Sequence, residues 1–375
     1  MAEWSKALDW NSSNVQKAFV GSNPTLSATS PGTVLRRVLP LFLSLLLIGA
    51  CARQPAVLQL QGETMGTTYS LLVAAGTAEL DQAAVDSLVA EVLAEADERL
   101  STWNAASELS ALNRHEAGTW IPVSPTLFEV LEAARDVSEL TGGAFDVTVG
   151  PLVELWGFGT GAGSGDRPPE AAEIALALES TGYRKFELRS APPALRKATS
   201  ALQLDVGAIA PGYAVDRIAH GLDALGARDY LVEIGGEVRA RGRNPAGRPW
   251  RVAVEAPVSG ERRAYAIVEL EDGSVSTSGD YRDFRHVGGR RISHTIDPRS
   301  GRPVEHGLAS VTVVHESAML ADAYATALMV LGPQAGFDLA ERLGLAALFI
   351  ERREGGSGFD ERQTAAFAVF RRPVG

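Results

Sequence analysis

Two oxygen-bearing residues in the last third of the chain have the spacing of a cation site. Asp322 and Thr326 lie four residues apart in a stretch with a helical pattern, so both side chains face the same side of the predicted helix. A carboxylate and a hydroxyl, completed by waters and a substrate phosphate, are hard oxygen ligands of the kind that Mg²⁺ prefers. The alternative is structural: a solvated Asp and a Thr that bonds to the backbone of its own helix.

His294 is the best candidate for proton transfer. An imidazole titrates near neutral pH and can take a proton from a hydroxyl, which is a poor nucleophile by itself. Asp280 is an alternative base or metal ligand, and the sequence does not decide between these roles. Surface or structural roles are expected for the other five of the six histidines, which are His115, His220, His286, His306 and His315.

Segments rich in Gly, Ser, Thr, Asp and His accompany these residues along the chain. None is specific alone, since Gly142-Gly143 is also a helix end and residues 297–301 are also a turn. The segments are 63–67, 142–151, 204–216, 275–281 and 293–301, followed by 321–327.

The elements that position these segments are predicted from hydrophobic periodicity. Strands and helices do not alternate regularly, which favours an α+β fold of mostly antiparallel sheets with flanking helices. Ser124 and Pro125 mark a helix start, and Gly142-Gly143 marks its end. The other predicted helices are 85–100, 170–179, 212–225, 317–331 and 333–343. The predicted strands are 61–74 with a break at Met65-Gly66, 185–189, 202–206, 229–234, 237–242, 250–256, 264–270, 308–315, 346–351 and 364–370.

Composition excludes several classes of protein. The 375 residues are 45% apolar and 22% charged, as in soluble globular proteins and unlike disordered, collagen-like or coiled-coil chains. The net charge of −11 argues against general attraction to nucleic acid or to an anionic membrane surface. The single cysteine excludes an intramolecular disulfide and a cysteine-based metal cage.

The N-terminal region has the pattern of a lipoprotein leader. Two arginines precede an apolar run that ends in Ile48-Gly49-Ala50-Cys51, which is typical of a signal peptide and is similar to a bacterial lipobox. Residues 1–30 resemble a translated transfer-RNA gene, and translation is expected to start near Val34. The predicted division is therefore an extraneous extension (1–33), a signal peptide (34–50), a tether (51–60) and one domain (61–375). Lipidation at Cys51 predicts attachment through the lipid alone, on the periplasmic side of a bacterial membrane.

Taken together, the order and spacing of the segments resemble the ApbE family of FAD:protein FMN transferases, from residue 61 to about residue 351. The resemblance implies an ApbE-like, T-fold-like α+β architecture. It also implies Mg²⁺-dependent transfer of FMN from FAD to a threonine hydroxyl of a target flavoprotein, with release of AMP. Expected acceptors are subunits of Na⁺-pumping quinone reductase or of the Rnf complex.

The same resemblance suggests roles for individual residues. His294 is implied as the base, and the metal ligands are implied to be the carbonyl of Ala208 with Asp322 and Thr326. FAD contacts are implied for Met65, Trp103, Ala144, Phe145, Asp146, Asp205, Pro211 and Ile296. For Met65, Trp103 and Phe145 a place in the hydrophobic core is the alternative. Pro211 stands where many members have Lys, so a cationic contact near the diphosphate is missing.

Two other functions remain open at this stage. The first is a FAD pyrophosphatase that releases FMN and AMP, and the second is a non-catalytic FAD-binding lipoprotein. Storage of FAD needs neither a metal site nor a base. The Asp322–Thr326 pair and His294 therefore favour an enzyme, and the family resemblance favours the transferase.

Overall fold

The computed structural model describes residues 57–74, 80–161, 167–258, 263–281, 284–353 and 358–374. The predicted extension, signal peptide and Cys51 lie outside these residues, and the predicted domain boundaries stay predictions. The helices of the described part are α1 (Gln82–Leu100), α2 (Glu108–Arg114), α3 (Pro125–Leu140), α4 (Gly150–Leu155), α5 (Ala171–Ser180), α6 (Ala210–Ala224) and α7 (Ala318–Leu343). None of them is long and apolar enough to cross a membrane.

The strands, in chain order, are mostly short. They are β1 (Val57–Thr64), β2 (Thr67–Ala74), β3 (Ile121–Pro122), β4 (Phe186–Ser190), β5 (Pro193–Lys197), β6 (Tyr230–Ile234), β7 (Glu237–Arg241), β8 (Trp250–Glu255), β9 (Ala264–Leu270), β10 (Asp272–Gly279), β11 (Phe284–Val287), β12 (Arg290–Ser293), β13 (Ile296–Asp297), β14 (Arg302–Pro303), β15 (Leu308–His315), β16 (Ala346–Arg352), β17 (Phe359–Gln363) and β18 (Arg371–Arg372).

A central sheet of eight strands organises the fold, in the order β1-β2-β6-β7-β10-β15-β16-β17. Every neighbouring pair in this sheet is antiparallel. Smaller antiparallel sheets are formed by β3-β5-β4 and by β18-β9-β8, and β11-β12 and β13-β14 are two-stranded. The predicted α+β class with mostly antiparallel sheets is therefore confirmed.

The two faces of the central sheet pack against different partners. Alternation along a strand sends successive side chains to opposite faces. On β6, Val232 joins a core beneath α1 and α6, while Leu231 joins a core with Trp250 and Phe367 beside the β8-β9-β18 sheet. Helix α7 packs against β10 and β15 and also against α6. The sheet thus lies between a helical layer and a second small sheet.

Most of the predicted elements are present with shifts of a few residues. The predicted strand 61–74 forms a hairpin of β1 and β2 around Met65-Gly66, because both turn residues have positive φ, as a two-residue hairpin requires. Helix α3 begins as predicted, since the Ser124 hydroxyl accepts the N–H of Leu127 and Pro125 occupies its first turn.

Two predicted strands are wrong. Residues 202–206 are irregular, because the side chain of Asn113 takes the place of a neighbouring strand: it accepts from Leu204 N at 2.7 Å and donates to Leu204 O at 2.9 Å. Residues 364–370 contain a 3₁₀ turn instead, after Thr364 bonds to both backbone groups of Ala347. Strand β5, strand β10, the hairpin β11-β12 and helix α2 were not predicted, since they are short or polar.

The last long helix contains a break that the sequence indicates. The two predicted helices 317–331 and 333–343 are joined in α7, and Gly332 between them is non-helical with φ 81°. Pro333 follows it, and a proline cannot donate the backbone hydrogen bond that continues a helix. The half of α7 before this break carries Asp322 and Thr326.

Candidate active site

The start of α7 is held by a carboxylate from α6. Asp216 accepts the backbone N–H groups of Ala318 at 2.9 Å and Met319 at 3.0 Å, and the Ser317 hydroxyl at 2.7 Å. These are backbone donors that a helix cannot satisfy internally, and a carboxylate also interacts favourably with the helix dipole. Asp216 therefore fixes the first turn of α7, and with it the position of Asp322 one turn later. The sequence placed Asp216 in a polar segment but indicated no role for it.

Asp322 has the surroundings of a cation ligand. It is only 6% exposed, its carboxylate accepts the N–H of Gly212, and its Oδ2 has no hydrogen-bond partner among the described residues. Burial, and secondly the negative charge of Glu237, raise the pKa of the Asp322 carboxyl well above its usual range. A buried carboxylate oxygen without a partner is costly, so the site fits a bound cation.

Three hydroxyl-bearing residues and one further carboxylate lie where α7 meets β10 and β7. The Thr326 hydroxyl lies 2.9 Å from the hydroxyl of Ser278 on β10. The Ser276 hydroxyl, two residues earlier on the same face, donates to Glu237 Oε1 at 3.3 Å. Glu237 was missed at the sequence level.

Gly212 brings the segment that contains Ala208 and Pro211 next to Asp322. A Cβ on Gly212 would collide with the backbone carbonyl of Ala318, so glycine permits the close approach of α6 and α7. Pro211 lies in the first turn of α6, where its missing N–H costs no helical hydrogen bond. Ala208 lies four residues before Gly212, and Pro211 directly before it. Both predicted positions are therefore close in sequence to the residue whose N–H the Asp322 carboxylate accepts.

A cavity of about 340 Å³ is lined in part by residues 203–205, which precede Ala208 in the chain. Its lining includes the predicted residues Trp103 and Asp205, together with Glu154, Phe158 and Gln203. Trp103 is 71% exposed, so it is not part of the hydrophobic core. The backbone N–H of Gly207 donates to Asp205 at 2.8 Å, while burial raises the pKa of the Asp205 carboxyl.

A buried lysine stabilises the part of the chain around Asn113, which lines this cavity. Lys197 is 1% exposed and donates to the carbonyls of Asn113, His115 and Ser200 at 2.9–3.3 Å. These contacts fix the end of α2, whose Asn113 holds Leu204 beside Asp205. Burial lowers the pKa of Lys197.

Asp146 lies on a neighbouring cavity of about 350 Å³ that Arg299 also lines. Its carboxylate accepts from the N–H and hydroxyl of Thr148 and from the N–H of Tyr183 at 2.6–2.8 Å. Burial nevertheless raises the pKa of Asp146. Arg299 is not a free cation here, because it forms a two-bond ion pair with Asp297.

Besides Asp146, three apolar residues among the predicted FAD contacts have buried side chains. Ala144 is 1% exposed, Phe145 is 3% exposed and Ile296 is 6% exposed. Phe145 belongs to the main hydrophobic core and Ile296 to a small cluster with Trp156. A ligand at these positions would meet backbone atoms, whereas Met65, at the exposed turn of the β1–β2 hairpin, presents its side chain to solvent.

His294 packs against Phe158, an aromatic residue in the lining of the cavity that Trp103 and Asp205 also line. Its ring meets the edge of Phe158 at a centroid distance of 6.4 Å, and Phe158 lines that cavity. Asp280, the alternative base, is instead held by Arg352, with two contacts of 2.6 and 2.8 Å. This ion pair occupies both of its oxygens, which favours His294 for proton transfer.

Two of the remaining histidines have structural positions, as expected. His315 accepts the N–H of Ser317 on its Nδ1 at 3.0 Å, and burial lowers its pKa. His306 lies under the break in α7, where a Cβ on Gly332 would come within 2.8 Å of its ring. Within the described part of the chain, no group of three His, Cys, Asp or Glu residues could hold a metal. A cation at Asp322 would therefore depend on hydroxyl and carbonyl oxygens as well.

Comparison with known proteins identifies the family of the chain. A model of the ApbE family matches residues 65–349. The chain belongs to the ApbE family. Among curated relatives of this ApbE-family protein, the FAD:protein FMN transferase of Vibrio cholerae is 38% identical over 336 residues, covering 90% of this chain and 99% of the relative. The Escherichia coli K12 protein of the same name is 36% identical over 320 residues, covering 83% and 88%.

Solved structures of the family share the fold. The flavin transferase ApbE of Vibrio cholerae superimposes with a TM-score of 0.77 at 38% identity, covering 84% of this chain and 99% of that one. The apo form of the Pseudomonas stutzeri flavinyl transferase ApbE gives 0.77 at 42% identity, covering 84% and 97%. The predicted ApbE-like architecture is therefore confirmed.

Proposed function

We propose that this protein is a FAD:protein FMN transferase that moves FMN from FAD to a threonine hydroxyl of an acceptor flavoprotein and releases AMP. Membership of the family and the names of its relatives support the transferase activity. The Mg²⁺ requirement, the threonine acceptor and the roles of single residues are our inference from the site.

The observation that carries the proposal is the buried Oδ2 of Asp322, which has no hydrogen-bond partner in the part of the chain that the structure describes. It lies beside the start of α6, and the chain runs back from there to Asp205 in the cavity lined by Trp103. A cation bound by Asp322, Thr326 and the Ala208 carbonyl would be in place to neutralise charge on a diphosphate. A storage protein gains nothing from such a carboxylate.

The chemical step requires activation of a hydroxyl. The threonine oxygen of the acceptor forms a bond to the FMN phosphorus, the bridging P–O bond to the AMP phosphate breaks, and AMP leaves with the bridging oxygen. His294 takes the proton of the threonine hydroxyl, while Trp103 and Asp205 hold and orient FAD. Positioning of the two reactants contributes most when they are held in line.

The cellular setting is inferred from the leader sequence. The lipobox-like end at Cys51 supports a lipid-anchored protein on the periplasmic side of a bacterial membrane. Acceptors of the Na⁺-pumping quinone reductase or Rnf type fit that setting, and the net charge of −11 does not favour nucleic acid.

The test is incubation of the full-length protein with FAD, Mg²⁺ and an Rnf-type acceptor domain, followed by intact mass of the acceptor. We expect a gain of one FMN phosphoryl unit on threonine, and its loss with EDTA. An unchanged acceptor with accumulating AMP would instead identify a FAD pyrophosphatase, and unreacted bound FAD a binding protein. The His294→Ala variant should bind FAD and fail to transfer; loss of FAD binding would contradict the role as base.

A further inference from the structure

A line of polar side chains connects α7 to the hairpin of β6 and β7. Ser278 lies against Thr326 and Ser276 against Glu237. The two serines are two residues apart on β10 and so share a face, about 7 Å apart along the strand. Thr326 and Asp322 are separated by about 6 Å along α7.

Glu237 lies beside Ser276 and Thr326 lies beside Ser278. Asp322 precedes Thr326 by one turn of α7, so both carboxylates belong to the region where β10 and α7 meet. The charge of Glu237 acts on the Asp322 carboxyl, which agrees with this proximity. Asp322 Oδ2 is buried and has no hydrogen-bond partner among the described residues. A buried carboxylate and a half-buried one close to it repel each other unless a cation lies between or beside them.

We propose that Glu237 is a second acidic residue of the divalent-cation site at Asp322, and that it raises the affinity of that site for the cation. This inference rests on the proposed function, because it assumes that Asp322 binds a cation. Glu237 is well placed for this role: it directly follows the tight turn Gly235-Gly236, whose φ values of 65° and 114° favour glycine. The Ser276 hydrogen bond orients its carboxylate.

The matched control is Glu233, a carboxylate of the same hairpin. It accepts from the Ser70 hydroxyl of the adjacent strand β2 at 3.1 Å and from Gly236 N of the hairpin turn at 2.9 Å, so both of its oxygens have donors within the central sheet. Glu233→Gln and Glu237→Gln remove the same charge from neighbouring positions with almost no change in shape.

The experiment is calorimetric titration of the full-length protein with Mg²⁺ and with Mn²⁺, without FAD. We expect Glu237→Gln to weaken binding about tenfold, as is usual when a group supporting a metal site is lost, and Glu233→Gln to bind as the wild type does. Asp322→Asn should abolish binding. Thermal unfolding gives a second readout: without cation, Glu237→Gln should unfold at a higher temperature than the wild type, and added Mg²⁺ should stabilise it less.

The outcomes separate this inference from the proposed function. If Asp322→Asn abolishes binding but Glu237→Gln binds as the wild type does, Glu237 is no part of the site and the inference is wrong. If wild-type protein binds no cation, or Asp322→Asn binds normally, the metal site of the proposed function is itself wrong. Equal weakening by Glu233→Gln and Glu237→Gln would indicate a general loss of charge and would also overturn the inference.

Discussion

The proposed cation site at Asp322 on α7 and the cavity around Trp103 are built in opposite ways. Asp322 lies on a helix packed against the central sheet, and Asp216 fixes the start of that helix. The cavity is formed by short helices and loops, and its aromatic residue is 71% exposed. A cation needs ligands at fixed distances, whereas the rings of a bound flavin need an apolar surface that can adapt to them. The buried carboxylate therefore costs stability, and the exposed tryptophan costs little.

The largest expected effect is the loss of catalysis when Asp322, at the proposed cation site, is replaced. Asp322→Asn should lower metal-dependent transfer about 10²- to 10³-fold, since a bound cation supplies several kcal/mol of transition-state stabilisation. Without divalent cation, the same variant should be more stable than the wild type near pH 8. The reason is that the pKa of Asp322 is raised in the folded state, so its ionisation opposes folding as pH rises above the usual carboxyl range.

Both effects can be measured on one preparation, by acceptor mass and by urea unfolding with EDTA. If Asn at position 322 lost transfer and also lowered stability in EDTA, the residue would be a structural hydrogen-bond partner rather than a cation ligand. Asp322 would then stabilise the fold, and the proposed difference between its site and the cavity around Trp103 would no longer hold.

A smaller loss, of stability, is expected when the start of α7 is released. Asp216→Ala leaves the N–H groups of Ala318 and Met319 without their partner, which should cost about 2–3 kcal/mol of unfolding free energy. Cation affinity should fall as well, because Asp322 lies one turn further along. The exposed Asp136 on α3 offers a control, and Asp136→Ala should unfold like the wild type in urea. Unchanged stability of Asp216→Ala would refute the capping role.

At the cavity, the expected change affects binding alone. Trp103→Ala should raise the KM for FAD roughly tenfold, the worth of one aromatic contact, and leave the urea midpoint unchanged because the side chain is exposed. Leu176, which is 66% exposed on α5, is the matched apolar control. A loss of stability in Trp103→Ala, with the KM unchanged, would place Trp103 among the structural residues.

The smallest effect is on the pH dependence of stability, and it comes from His315, which accepts the N–H of Ser317 just before α7. Burial lowers the pKa of His315 in the folded protein, so its contribution to stability is complete above about pH 6.5 and is lost as pH falls. Asn at this position can accept the N–H of Ser317 and does not titrate. His315→Asn should therefore flatten the decline of unfolding free energy between pH 7 and pH 5 by less than about 1 kcal/mol. His220→Asn on the exposed face of α6 should leave the slope unchanged; an identical slope in both variants would contradict this account.

Periodic and turn-forming residues were predicted well from the sequence. The Ser124-Pro125 start, the Met65-Gly66 turn and the Gly332-Pro333 break depend on preferences of the backbone itself, so local sequence suffices to find them. Residues 202–206 were misjudged as a strand because their backbone groups are satisfied by Asn113, which lies 91 positions away from Leu204. No local pattern carries that information.

The sequence by itself determined the fold class, the family resemblance and the placement of Asp322 and Thr326 one turn apart on a single helix, because periodicity and spacing are local properties of the chain. Tertiary structure alone decided which groups meet across the fold: Asp216 with the start of α7, Gly212 with Asp322, and Glu237 with the serines of β10. It also decided that Phe145 and Ile296 are buried while Trp103 is exposed, since burial of an apolar residue depends on which elements pack together as well as on residue type.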